Sequence, residues 1–126
     1  MYITVDEKDK RPIYQQIVDE IKGLIATGEL SQGTFLPPVR QVAADLGVNL
    51  NTVAFAYRQL QRDGLVKVRH GAGALVISRV LNEPIGEQTR NQLTAALTHL
   101  VLSGLKPSEI KVLVDEELRR LYADVG

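Results

Sequence analysis

Between Leu36 and Ser78 the chain reads LPPVRQVAADLGVNLNTVAFAYRQLQRDGLVKVRHGAGALVIS, and the order of its punctuation narrows the possible folds sharply. Pro37-Pro38 imposes an extended entry and lets a helix begin near Pro38. Val39, Val42, Ala43 and Leu46 then recur at helical spacing, and Gly47 stands where a helix ends left-handed. Asn49 suits an N-cap. A second helix runs from Asn49 or Asn51 to Asp63, with Gly64 as its stop. Leu65–Arg69 and Ala74–Ser78 are β-rich and flank the tip His70-Gly71-Ala72-Gly73, whose glycines permit a tight turn and close approach to another backbone. Helix, tight turn, helix and glycine-tipped hairpin make a winged helix-turn-helix, which presents its second helix to the major groove of DNA.

On either side of this stretch the pattern is helical. Met1–Val5 is expected to form a brief edge strand. Pro12 suits the first turn of a helix over 12–27, carried by Ile13, Ile17, Ile21, Leu24 and Ile25 and stopped by Gly28. Glu29–Leu36 reads as a loop and Val80–Pro84 as a linker. Leu93, Ala96, Leu97, Leu100 and Val101 mark a further helix that ends at Gly104. Pro107 and Ser108 open the last helix, with Ile110, Leu113, Val114, Leu118, Leu121 and Tyr122 on one face.

The expected fold is mainly α with a small β-hairpin wing. Residues 1–79 form a winged helix-turn-helix domain, and 80–126 form a C-terminal two-helix dimerisation segment. A lone antiparallel helix pair buries too little to stand alone. It must pack on the N-terminal unit, on a second chain, or on both. The positions expected at a homodimer interface are Leu97, Leu100, Ile110, Leu113, Val114, Leu118 and Leu121.

Composition removes several classes of function. At 44% hydrophobic residues the chain can build a core. No apolar run is long enough to span a membrane, and the first ten residues lack a signal-peptide core. With no cysteine there is no disulfide framework and no thiolate nucleophile or ligand. A cytoplasmic protein without cofactor or bound metal is expected. Its two histidines, His70 and His99, are far apart in sequence, and His99 reads as a structural or interface residue. A strand rather than a helix follows the wing glycines, so they do not form a phosphate-cradling loop. An enzyme is not expected.

Net charge is zero, with 15 basic and 15 acidic residues. That total hides an asymmetry. Thr34–Arg79 holds six basic residues against Asp45 and Asp63, whereas 80–126 holds five basic against seven acidic. Local charge is what attracts phosphate. The run Asp115-Glu116-Glu117 reads as a solvated helix surface.

Residues 12–78 resemble the GntR family of bacterial transcription regulators. The matching blocks are PIYQQI, then GTFLPPVR, then LGV-x-x-NTV-x-x-AY-x-x-L-x-x-x-G, then G-x-G before a short strand. The roughly 45 residues after the wing resemble the short two-helix tail of the YtrA-like subfamily, which implies dimerisation; regulated genes in that subfamily often encode transporters. Two positions depart from the pattern. Pro38 stands where the family usually has Ser or Ala, and Phe55 where subfamily relatives often carry Arg.

The resemblance implies that Arg40 touches the operator, and an arginine there can clamp phosphate or read guanine bidentately. Its alternative is a salt bridge to Asp45 or simple exposure. Asn49, Asn51 and Thr52 occupy the first turn of the recognition helix, where short polar side chains meet phosphate or adenine edges; for Asn49, capping alone is an equal reading. Phe55 shares the outward face with Asn51, Arg58 and Arg62. It either meets a thymine methyl or packs on the wing or a neighbouring helix, and packing is favoured. Arg58 suits phosphate, while Arg62 reads as a solvated charge. Arg69, His70 and Gly71 form the wing tip, which the resemblance brings to the minor groove or the adjoining backbone. His70 can hydrogen-bond there or gain charge near phosphate; otherwise it is an exposed turn residue. The expected partners are a pseudo-palindromic double-stranded operator and a second copy of the chain, acting as a repressor. The alternative function is a winged-helix module that binds protein. No residue names a small-molecule effector.

Overall fold

A computed structural model describes residues 1–71 and 73–122. The chain divides into two compact units, Met1–Asn82 and Glu83–Gly126.

The first unit is built on three helices and a small sheet. Helix α1 (Ile13–Thr27) is entered through Pro12, which stands at the N-cap rather than inside the first turn, its carbonyl accepting from the N–H groups of Gln15 and Gln16. Gly28 closes α1 in the left-handed conformation at φ 88°. Ile17, Val18, Ile21 and Ile25 are buried along one side. Helix α2 (Val39–Leu46) starts from Pro38 in the same manner, and Gly47 ends it at φ 67°. Helix α3 (Leu50–Arg62) turns Val53, Ala56, Tyr57 and Leu60 into the core.

The sheet has three strands, one more than the hairpin expected from the sequence. Strand β1 (Phe35–Leu36) pairs antiparallel with β3 (Gly73–Val76), which pairs in turn with β2 (Val66–Arg69), giving the order β1-β3-β2. The segment expected to be a loop therefore supplies a strand, with Phe35 opposite Leu75 and Leu36 opposite Ala74. Gly73 makes this possible. At φ 78° it lies so close to the Leu36 carbonyl and to Pro37 that a Cβ would collide with both.

The expected edge strand at Met1–Val5 is absent. Ile3 drops into the core, and the backbone that follows is held by a side chain instead of a sheet. Gln16, almost wholly buried, accepts from the Asp6 N–H at 2.7 Å and donates to the carbonyls of Asp6 and Arg11. A buried amide fully partnered in this way costs little to bury.

The second unit holds α4 (Glu87–Leu102) and α5 (Pro107–Leu121). The Glu109 carboxylate caps α5 by accepting from the Lys106 N–H at 2.9 Å. No residue of either helix is buried. Leu97, Leu100, Ile110 and Leu121 are half-buried, whereas Leu93, Val101, Leu113, Val114, Leu118 and Tyr122 are exposed.

No helix among the described residues is long and apolar enough to cross a membrane.

Candidate nucleic-acid interface

The outward face of α3 follows from its inward face. With Val53, Ala56, Tyr57 and Leu60 turned to the core, a rotation of 100° per residue points Asn51, Phe55, Arg58 and Arg62 outward, and all four are exposed. Asn49 caps this helix. Its side-chain oxygen accepts from the Asn51 N–H at 2.7 Å, so that oxygen already has a partner.

An open groove runs between the first half of α3 and the wing. Arg40 and Val39 from the first turn of α2 line one end. Leu50, Asn51 and Ala54 line the helix side, and Val68, Arg69, His70, Gly71 and Gly73 line the wing side. Five residues singled out from the sequence thus share one concave surface: Arg40, Asn51, Arg69, His70 and Gly71. Half-buried Thr52 is not among the lining residues. Leu50, Ala54 and Val68 were missed by the sequence reading, because an apolar groove wall is indistinguishable from core until the wing is folded beside it.

Charge on this face is uncompensated. Among the described residues, Arg40, Arg58, Arg62, Lys67 and Arg69 form no salt bridge. The expected alternative of an Arg40–Asp45 pair is not formed. Asp63 is engaged by Lys22 on α1 at 2.9 Å. One cation counted towards the basic excess is taken out of it, however. Arg79 folds back onto the end of α1, donating to the carbonyls of Ile25 at 3.2 Å and Ala26 at 2.6 Å. There it supplies a donor to the Ala26 carbonyl and a second one to the Ile25 carbonyl, which also accepts from the Gly28 N–H.

Phe55 is partly exposed and packs on a neighbouring helix. Its ring meets Tyr14 of α1 edge to face, with centroids 4.7 Å apart and planes at 84°. The Arg58 guanidinium lies 5.8 Å from the Phe55 ring centre.

Comparison with known proteins places this surface in context. Residues 13–76, half of the chain, match the family described as bacterial regulatory proteins, gntR family. The chain belongs to the gntR family. This gntR-family chain is a transcriptional regulator with a DNA-binding domain. It is 29% identical over 98% of its length, and 94% of the relative's, to the HTH-type transcriptional repressor YtrA of Bacillus subtilis. Among solved structures, YtrA from Sulfolobus acidocaldarius, a GntR-family transcription factor, is 36% identical, with a TM-score of 0.57 over 92% of this chain and 96% of that one. A transcriptional antiterminator from Listeria monocytogenes EGD-e reaches a TM-score of 0.78 at 30% identity, over 96% of this chain and 92% of that one. The resemblance to YtrA-like regulators therefore extends through the C-terminal helices of the regulator, beyond the DNA-binding domain.

Proposed function

We propose that this regulator is a homodimeric, cytoplasmic repressor that reads a pseudo-palindromic operator in double-stranded DNA. The observation that carries the reading is the groove between α3 and the wing, where Arg40, Asn51, Arg69 and His70 converge without acidic partners. Asn51 at the start of α3 reads base edges in the major groove, aided by the positive helix terminus. Arg40 and Arg58 hold phosphate or, for Arg40, guanine. Arg69, His70 and Gly71 follow the backbone beside the minor groove. Asn49 orders the first turn of α3 through its capping bond, and Asn49 and Thr52 lie within reach of phosphate.

Residues 80–126 act as the dimerisation segment. Helices with no buried residue and with Leu113, Val114 and Leu118 exposed are an aggregation liability unless a second copy covers them. A two-fold dimer sets two recognition helices roughly 34 Å apart, one helical turn of DNA or a multiple of it.

Selection from a random duplex library at near-physiological salt tests the reading. An enriched inverted repeat, bound with a steep salt dependence, supports it. Absence of enrichment with folded protein overturns it.

A further inference from the structure

The base of the wing is packed into the core through Val66, and its outer part is hydrogen-bonded to the recognition helix by one side chain that no sequence motif marks. In the order β1-β3-β2, strand β2 is one of the two edges, so part of its backbone lacks a strand partner. Val68 lies on that strand, opposite Ala74. Its N–H donates to the Gln61 side-chain oxygen at 2.7 Å. Gln61 belongs to the last turn of α3 and is exposed, and no other side chain among the described residues hydrogen-bonds to β2. The other strand of the hairpin is seated independently, where Gly73 meets Leu36 and Pro37. Beyond these two anchors lie Arg69, His70 and Gly71, all exposed.

We propose that Gln61 is a positioning residue for DNA recognition, setting the distance between α3 and the wing so that helix and wing-tip contacts form together. The inference rests on the operator-binding reading above. A wing free to swing about the β3 anchor must be ordered at each binding event, and that ordering subtracts from affinity. Gln61 supplies the order in the free protein. It acts through the wing and leaves base reading by Asn51 untouched.

The test separates the tether from the DNA reading. Gln61→Met keeps the length of the side chain and removes the acceptor; Gln61→Glu keeps an acceptor. Amide hydrogen exchange at Val68 is measured first, without DNA. Protection is expected in the wild type and in Gln61→Glu, and is expected to fall in Gln61→Met. Affinity for the selected operator is then expected to weaken about five- to tenfold in Gln61→Met, the worth of one hydrogen bond. Base preferences across the half-site stay as in the wild type. Arg69→Ala costs less in the Gln61→Met background than alone, since a loose wing places Arg69 poorly.

Equal Val68 protection in all three proteins overturns the proposal. So does Gln61→Met with wild-type affinity, or with fully additive loss on Arg69→Ala. A wild type that protects Val68 yet selects no duplex overturns the operator reading itself, and the role of Gln61 in recognition falls with it.

Discussion

The Tyr57 hydroxyl donates to the Pro37 carbonyl at 2.6 Å across twenty residues of sequence, joining the middle of α3 to the extended Pro37-Pro38 segment that leads into α2. Tyr57 is 1% exposed, and burial pushes its phenol well above the ordinary tyrosine range. Tyr57→Phe is expected to cost about 1–2 kcal/mol, because the carbonyl loses its partner. The sign of the pH effect follows from the raised pKa. Stability from keeping the phenol neutral is complete below the unfolded-state value of about 10, and it is lost as pH rises further towards the folded-state value. Urea titrations at increasing alkaline pH should show a decline in the wild type that Tyr57→Phe lacks in part. Parallel declines in the two proteins would contradict this.

Two wing glycines should respond differently to alanine. Both have positive φ, 74° at Gly71 and 78° at Gly73, so each substitution carries about 1–2 kcal/mol of backbone cost. At Gly71 an added Cβ meets open space, whereas at Gly73 it strikes the Leu36 carbonyl. Gly73→Ala is therefore expected to be clearly the more destabilising in thermal unfolding. Equal shifts in Tm would mean that β1 and β3 separate without penalty.

The aromatic pair of Tyr14 and Phe55 predicts coupling. Singly, Tyr14→Ala and Phe55→Ala each remove the edge-to-face contact, and the double variant should fall short of their sum by about 0.5–1.5 kcal/mol. Scanning the operator base by base with Phe55→Ala should leave its preferences unchanged, since the ring packs on α1. A lost preference for thymine at one position would restore the methyl contact as the role of Phe55.

Arg40 and Arg79 divide the basic excess into two kinds. Arg40→Ala should weaken operator binding and lower the salt slope by about one, as expected for a lost phosphate contact. Arg79 holds the carbonyls of Ile25 and Ala26, so Arg79→Ala should lower Tm while leaving operator affinity intact at temperatures where the protein is folded. Titrations at several salt concentrations, alongside thermal unfolding, separate the two outcomes.

The exposed leucines of α5 bear on assembly. Leu113→Lys with Leu118→Lys places two charges on the apolar face and should yield monomers in sedimentation analysis. On the dimeric operator reading proposed above, linked binding of two half-sites is then lost, and affinity for the inverted repeat should drop by at least about a hundredfold. A double variant that remains dimeric would move the interface off this face.

Helices were legible from the sequence because their causes are local. Isoleucines at Ile17, Ile21 and Ile25 repeat with the helical turn, Asn49 caps within two residues of itself, and Gly28 and Gly47 end helices by their own φ. The face of α3 that carries Asn51 and Arg58 follows from the same periodicity. Strand β1 was not legible: two residues carry no alternation, and Phe35-Leu36 becomes a strand only when Gly73 brings β3 alongside. The Met1–Val5 segment has β-rich composition, yet Gln16 claims the backbone beyond it. Arg79 and Gln61 look like any exposed polar residue until folding brings the end of α1 and the edge of β2 within their reach. Local periodicity and caps are written in neighbouring residues, whereas partners distant in sequence leave no trace there, and only packing selects among them.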